Sequence, residues 1–562
     1  MGHLLETNAD IMLLNCPHWD LRWPPPGILH VHEALKGNGF RSVFFDVNLY
    51  VYTRVEIVSG RPPTRQEMRS YHDLWNPHED YRWCDKQFIA RFLELIEHLA
   101  RQIVCAAPKT VGFSVSQVNK PFSEALAEAI KKLSPGIHII FGGFDCLDPE
   151  LLPSYSEIPD LYVVGEGEIT APALLSALLA DGNNAALYDI PGVMVNDEKG
   201  HASFRPGTPS QDLDSIIYPH YQDIDLDNYA VNGLKHVLLG TSRGCNWGRC
   251  SFCSMPGAFR IRSPENCYEE ISYLHREFGV KRFSFTDQDI NNDPESLMRL
   301  CNLIVAGGLG QRITLGGQLR VSPYSDAEFF RTLRKAGFWG VSFGVESGCN
   351  RVLALMKKGI TAQMATRNLK AAKSVGLWVG INIIVGFPGE TYEDFLETLV
   401  WLVEMARDYD LLESLAVAHI LRPSYLHEHL EQFQIICDDK FQSTAPTRCC
   451  HDWVTTNDPK NTRENRECRR EIVLRLVASL GIEIGRPVLT YSYTDMRHLG
   501  EDECELWEFV EAKLGMKLSQ NRIPAPSKNL VTKWWRYSRR RGVIPAVQAT
   551  FDFMRRRIEG SV

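Results

Sequence analysis

Between His236 and Ile420 the chain passes through six β-rich segments, HVLLGTS, RFSFTD, RITLGGQ, GVSFGVE, VGINIIVG and ESLAVAHI, separated by amphipathic stretches long enough to be helices. Strands that read as nearly continuous apolar runs are buried on both faces, and strands joined through helices lie parallel. This alternation predicts a parallel (β/α) barrel of TIM type, full or partial, over residues 236–430. Its functional residues should then stand at the C-terminal ends of the strands. A first alternation precedes it: IMLLN, SVFFD, TVGFSV, IHIIFGG and LYVVG, with helical patterns around Gly27 to Asn38, Lys86 to Cys105, Pro121 to Leu133 and Ile169 to Leu179. That order predicts an α/β domain over 1–205, a doubly wound parallel sheet of Rossmann-like type with its ligand at the carboxyl ends of the strands. A polar, Asp-rich stretch over 206–235 reads as a linker. From 431 to 562 the pattern is irregular and helix-leaning, which predicts a C-terminal α-rich domain.

Composition narrows the setting. A 44% hydrophobic and 23% charged chain of 562 residues is globular and has several domains. The longest uncharged apolar stretch, Gly376 to Gly389, is shorter than the roughly 18 residues of a spanning helix, so no membrane segment is expected. The N-terminus MGHLLETNAD has no basic region followed by an apolar one, and a cytoplasmic protein is expected. The odd count of 15 cysteines without an export signal favours free, buried or metal-ligating thiols over a disulfide framework. The basic segment KWWRYSRRR, Lys533 to Arg541, reads as an amphipathic closing helix, and nucleic acid is not an expected partner.

The most informative segment is GTSRGCNWGRCSFC, where Cys245, Cys250 and Cys253 fall within nine residues just after the first barrel strand. Three thiolates on a glycine-containing loop at a barrel mouth can hold a cubane iron–sulfur cluster and leave one iron without a protein ligand. The competing reading is a zinc knuckle or incidental buried thiols; a closed structural zinc site takes four ligands, and no fourth Cys or His lies nearby.

These cysteines, with GVESGCNRVLALMKKGIT on the fourth barrel strand and INIIVGFPGETYED on the fifth, resemble the radical S-adenosylmethionine superfamily. The resemblance covers roughly residues 236 to 420 and implies a four-iron, four-sulfur cluster on Cys245, Cys250 and Cys253 whose free iron chelates S-adenosylmethionine. It departs in one respect: four residues, Asn246 to Arg249, separate the first two cysteines where the family usually has three. By the same resemblance Phe252 shields the cluster and flanks adenine, Glu346 and Ser347 are candidates for the ribose hydroxyls, and Asp287 and Gln288 for the methionine amino group. Gln318 and Arg320 are candidates for the carboxylate or nucleoside, and Gly386 and Pro388 belong to the adenine-contacting segment.

The N-terminal segments NCPHWDLRWPPPGILHVHEALKGNGFRSVFFDVNL, VGFSVSQVN, IIFGGFD and VVGEGE resemble the cobalamin-binding domain that precedes the radical domain in one subgroup. The candidate contacts are Ser114, Ser116, Gln117, Asn119, Gly142, Gly143, Gly165, Glu166 and Gly167. No Asp-x-His-x-x-Gly string is present, and His30 and His32 fall inside the first helix, so cobalamin without a histidine ligand is implied. The resemblance points to a cobalamin-dependent methyltransferase acting on an unactivated carbon, or phosphorus, of a small-molecule or peptide natural product, with a flavodoxin or ferredoxin as reductant. Rearrangement or cyclisation, a transfer-RNA methylthiotransferase and a cobalamin-binding sensor remain as alternatives. Adjacent Cys449 and Cys450 followed by His451 read as metal-binding, radical-quenching or buried, with burial preferred because neighbouring cysteines do not easily share one tetrahedral ion.

Overall fold

The computed structural model describes residues 8–54, 71–75, 80–152, 155–180, 184–230, 233–254, 257–437, 449–485, 501–514 and 518. Six strands build the first sheet: β1 (Ile11–Asn15), β2 (Ser42–Asp46), β3 (Thr110–Ser114), β4 (His138–Gly142), β5 (Leu161–Val163) and β6 (Val193–Val195). Their order is β2-β1-β3-β4-β5-β6, with only β6 antiparallel to its neighbour. The strand order reverses between β1 and β3, and at such a switch point the loops leaving the carboxyl ends diverge into a crevice. Here the loops after β3, β4 and β5 carry all the candidate cobalamin contacts.

The second sheet begins with β7 (His236–Leu239). A small antiparallel hairpin, β8 (Ser242–Arg243) and β9 (Arg260–Ile261), brackets the cysteine loop. Five strands continue the sheet: β10 (Arg282–Phe285), β11 (Thr314–Leu319), β12 (Phe338–Glu346), β13 (Trp378–Val385) and β14 (Leu411–Val417). Beyond them lie β15 (Ile420–Leu421), β16 (Ile435–Cys437), β17 (Cys449–Cys450), β18 (Trp453–Thr455) and β19 (Glu483–Ile484). The order β7-β10-β11-β12-β13-β14-β19 is parallel throughout and leaves β7 and β19 as edges, so the seven-stranded barrel is partial and open. Local chemistry sets the helix limits. In the helix Pro264–Phe278, Ser263 caps the N-terminus by accepting the Asn266 N–H, Pro264 opens the first turn, and Gly279 closes the end at φ +66°.

Two expected boundaries shift. The barrel does not stop at 430, because β19 pairs with β14 at Leu411 and Leu412, and the helix Arg463–Ser479 packs against β13 and β14. The helix Arg463–Ser479 and β19, expected in a C-terminal domain, are therefore part of the barrel and share its hydrophobic core. The segment 206–235 is an ordered strap rather than a free linker: Leu213, Ile216, Tyr221, Leu226 and Tyr229 are buried. Its Tyr229 hydroxyl donates to Asp46 and Asp223 accepts from Lys36 and faces His32 on the first domain, while Ser210 O accepts from Arg260, Asp214 accepts the Ser263 N–H and His220 O accepts from the Tyr273 hydroxyl on the barrel, so the strap laces the two together. The basic segment 533–541 lies outside the described residues.

Candidate functional site

The cysteine loop leaves the barrel at Thr241, and its base is fixed by Asp287, whose buried carboxylate accepts the Thr241 N–H and the Thr241 and Ser242 hydroxyls. Asp287 is thus committed to holding the loop rather than open to a ligand. Gly244 turns the chain at φ +78°, where a Cβ would stand 2.7 Å from the Ala258 carbonyl oxygen. On the far side, the Ser251 N–H donates to Met356 O and its hydroxyl to Leu355 O. Trp247 donates to Lys357 O and lies 4.4 Å beneath the Arg320 guanidinium.

Cys245 and Cys250 are partly buried and Cys253 is exposed. The Cys245 thiol faces Asp289 Oδ2 at 3.9 Å and Asn292 Oδ1 at 3.8 Å. Burial raises the Cys250 thiol, against the pull of Lys358 and Arg320. Three sulfurs around one zinc ion would lie about 3.8 Å apart, given bonds of about 2.3 Å. Among the described residues the only three-ligand group gathered within 4.8 Å is His32, Glu33 and Asp223, and Lys36 already bridges its acids. The three thiols are not all within 4.8 Å of one another, a wider spacing than one zinc ion imposes. Beside Cys245, the buried Asn292 Nδ2 has no hydrogen-bond partner, as expected where a group with acceptor sulfurs belongs.

Above the loop the strand ends gather charge. Glu346 ends β12 at φ +68°, an uncommon conformation for a residue with a side chain, and its buried carboxylate pairs with Lys358 Nζ at 2.8 Å. Asp289, 7% exposed, is pushed up to about 6 by burial, against the pull of Lys358 and Arg320. Gln318 donates to Gln288 O and accepts from Asn382, which turns its amide across the lumen. Ser347 is fully buried; its hydroxyl bonds Thr398 and accepts the Cys349 N–H, so it does not face the mouth. Phe252 packs edge-on against Phe387 at 6.5 Å.

The turn Gly386-Phe-Pro-Gly-Glu is organised by Glu390, whose fully buried carboxylate accepts the Gly386 N–H at 2.6 Å and Arg469 at 2.5 Å. Gly386 sits at φ +71°, where a Cβ would overlap Arg466, and Pro388 is buried in the same turn. Sequence reasoning missed Asp289, Lys358, Glu390, Arg466 and Arg469. Asp289 left a signal, since it follows the end of β10 by four residues, where barrels place functional groups, and Lys358 and Glu390 lie inside the two motif segments on the fourth and fifth strands.

In the first domain, the loops after β3 and β4 interlock. Asn119 donates to Ser114 O and accepts the Ser116 N–H, and Gly143, at φ +109°, presses on Val115 where a side chain would clash. Gln117 is exposed beside them, and Gly142 accepts the Val115 N–H. Gly165, at φ +95°, faces open space. The structure corrects two of the expected contacts. Glu166 turns to the barrel, binding Arg243 at 2.9 Å and Arg260 at 2.7 Å, with Glu168 joining it on Arg243. Gly167 allows close packing on Val31 rather than access to a ligand. His32 engages Ser42 and Asp223 through its two ring nitrogens, and the His30 Nδ1 lies against Ile217 O.

Residues 239–402 match the family model described as the radical SAM superfamily. An uncharacterized methyltransferase of Pyrococcus horikoshii is 30% identical over 308 residues, 54% of this chain and 65% of the relative, so less than two thirds of that protein is matched. Two solved structures share the fold. OxsB, a cobalamin-dependent S-adenosylmethionine radical enzyme, has a TM-score of 0.60 at 15% identity, covering 90% of this chain and 71% of its own. The radical methyltransferase TsrM from Kitasatospora setae has a TM-score of 0.54 at 19% identity, covering 76% and 79%. The cysteine loop at the mouth of the open parallel barrel thus lies inside the stretch that matches the radical SAM superfamily model, and the barrel with the doubly wound sheet docked against it has the fold of OxsB and TsrM.

Proposed function

We propose that the protein is a cobalamin-dependent radical S-adenosylmethionine enzyme, a methyltransferase acting on an unactivated carbon, or on phosphorus, of a small-molecule or peptide natural product. The observation that carries this reading is the joint between the domains. Glu166 and Glu168, at the carboxyl edge of the first sheet, grip Arg243 two residues before Cys245. The edge where such sheets bind ligands therefore meets the loop where a cluster would sit. The methyltransferase name of the Pyrococcus relative and the TsrM title agree with it.

Cys245, Cys250 and Cys253 would hold the cluster, Glu346 and the Gly386 turn the nucleoside, and Asp289 the amino group of S-adenosylmethionine in place of Asp287. Gly142, Gly143 and Gly165 would let a corrin approach the backbone. When bound, the cluster supplies one electron for cleaving S-adenosylmethionine and the corrin carries a methyl group. The chain's own residues keep that chemistry dry and aligned. Phe252, Phe387, Met356 and Trp453 form one apolar cluster beside the loop, and Lys358, next to the Phe252 ring, balances the Glu346 carboxylate. The electron would come from a flavodoxin or ferredoxin. No helix among the described residues is long and apolar enough to cross a membrane.

The test is product stoichiometry. Anaerobically reconstituted protein given cobalamin, reductant and a panel of natural-product substrates should form S-adenosylhomocysteine and 5′-deoxyadenosine in about equal amounts, with a product heavier by one methylene. Substrate-dependent deoxyadenosine without S-adenosylhomocysteine would replace methyl transfer by rearrangement or cyclisation.

A further inference from the structure

The barrel lumen holds a cavity of about 420 Å³, within the range of small-molecule sites. Its upper rim is formed by Gln288 and Gln318 at the strand ends, while its lower wall comes from Trp339, Trp378 and Glu413 near the strand starts. Two of those lower residues are placed by irregularities in the sheet. Leu315 pairs with Phe338 but Gly316 with Gly340, so Trp339 is the extra residue of a bulge. Ile381 pairs with Leu412 but Asn382 with Ser414, so Glu413 is the extra residue of another. Bulges re-aim a side chain at the expense of ladder hydrogen bonds.

Neighbouring strands give up their side chains where these groups lie. A Cβ on Gly316 would stand 3.3 Å from Trp339 Nε1, one on Gly340 3.0 Å from Trp378 Cβ, and one on Gly380 2.9 Å from Glu413 Oε2. The indoles of Trp339 and Trp378 stand 6.4 Å apart, splayed by 33°, and Trp339 is 42% exposed. Among the described residues Glu413 meets the Ser342 hydroxyl and no cation pairs with it; partial desolvation raises its carboxyl, and the side chain keeps one side open to solvent. Two aromatic faces and a carboxylate that no described cation neutralises, at the open lower end of the cavity, are the complement of an organic cation, which gains from both the ring quadrupoles and the charge.

We propose that the lower lumen, walled by Trp339, Trp378 and Glu413, binds the ammonium end of a small ligand whose remainder extends up the barrel axis towards Gln288 and Gln318. Trp339, Trp378 and Glu413 belong neither to the cysteine loop nor to the nucleoside turn, although the cavity's upper rim adjoins Asp287 at the base of that loop, and the site does not depend on methyl transfer.

The test is calorimetric, with reconstituted holoprotein saturated with S-adenosylmethionine so that the carboxylates of the mouth are engaged. Hexylammonium should bind at one site per chain, and hexan-1-ol and hexanoate at least about tenfold more weakly. Glu413→Gln is nearly isosteric and should weaken hexylammonium by about tenfold or more while leaving iron content and melting temperature unchanged. Trp378→Leu should weaken it as well. Equal binding of the alcohol or of hexanoate, unchanged affinity in Glu413→Gln, or no hexylammonium binding would each overturn the proposal; hexanoate binding alone would point instead to the outer groove lined by Arg331, Arg334 and Lys335.

Discussion

His419 stands two residues past the end of β14, its Nδ1 3.0 Å from Nδ1 of His451 and the two rings edge to face. One of these nitrogens must donate and the other accept, so the neutral pair is satisfied and the doubly protonated pair is not. Burial pushes the His419 imidazole down to about 3, with His451, Arg466 and Arg463 adding to the effect. The folded state thus refuses a proton that the unfolded chain accepts near the ordinary value of about 6.5, and stability is lost as pH falls below that value. His419→Gln should flatten the decline of melting temperature between about pH 7 and about pH 5. An unchanged decline would assign it to His30 and His236, which burial holds down to about 4. The TRCCHDW segment showed its chemistry in part: Cys450 is buried, as preferred, but nothing in the string announces that His451 meets a histidine 32 positions earlier.

At the scale of elements, the hairpin of β8 and β9 closes the cysteine loop around Gly244. Alanine there meets a left-handed backbone, costing about 1–2 kcal/mol, as well as the Ala258 carbonyl at 2.7 Å. Because the hairpin is peripheral to the barrel core, Gly244→Ala should retain the far-ultraviolet circular dichroism of the parent. Its iron content after reconstitution should fall well below the parent value; full iron loading would show that the hairpin does not position the thiols. The strands that sequence made visible are those rich in β-branched and other apolar residues, such as Trp378–Val385, where Asn382 alone breaks the apolar run. The strand β19 was invisible because two residues have no period, and it is fixed only by pairing with β14. The same holds for the buried ion pair of Glu390 and Arg469, which the fold joins across 79 positions. A lone Arg in an amphipathic helix normally reads as its solvent face, and in the helix Arg463–Ser479 Arg466 and Arg469 are instead fully buried.

Across the whole molecule, two sheets have to present their carboxyl ends to each other, and few contacts define that angle at the cysteine loop. Arg243 is the central one: partly exposed, it spans Glu166 and Glu168, both nearly covered, while Arg260 holds Glu166 from the other strand of the hairpin. Glu168 lies in the first turn of the helix Gly167–Leu179, where the helix dipole stabilises a carboxylate even without its partner. Losing Arg243 should therefore not unfold the first domain, and Arg260 and the buried strap would keep the two sheets together. What changes is their fine alignment, on which the proposed reaction, needing two reagents at one substrate atom, would depend steeply. Arg243→Met should load iron and cobalamin to within about twofold of the parent, yet release several-fold more deoxyadenosine per methylated product. Arg243→Lys, which keeps the charge but not the two-pronged grip, should fall between them. A product ratio equal to the parent's in Arg243→Met would mean that the clamp fastens the domains without aligning their chemistry, and the alignment would then rest on the strap through Tyr229 and Asp223.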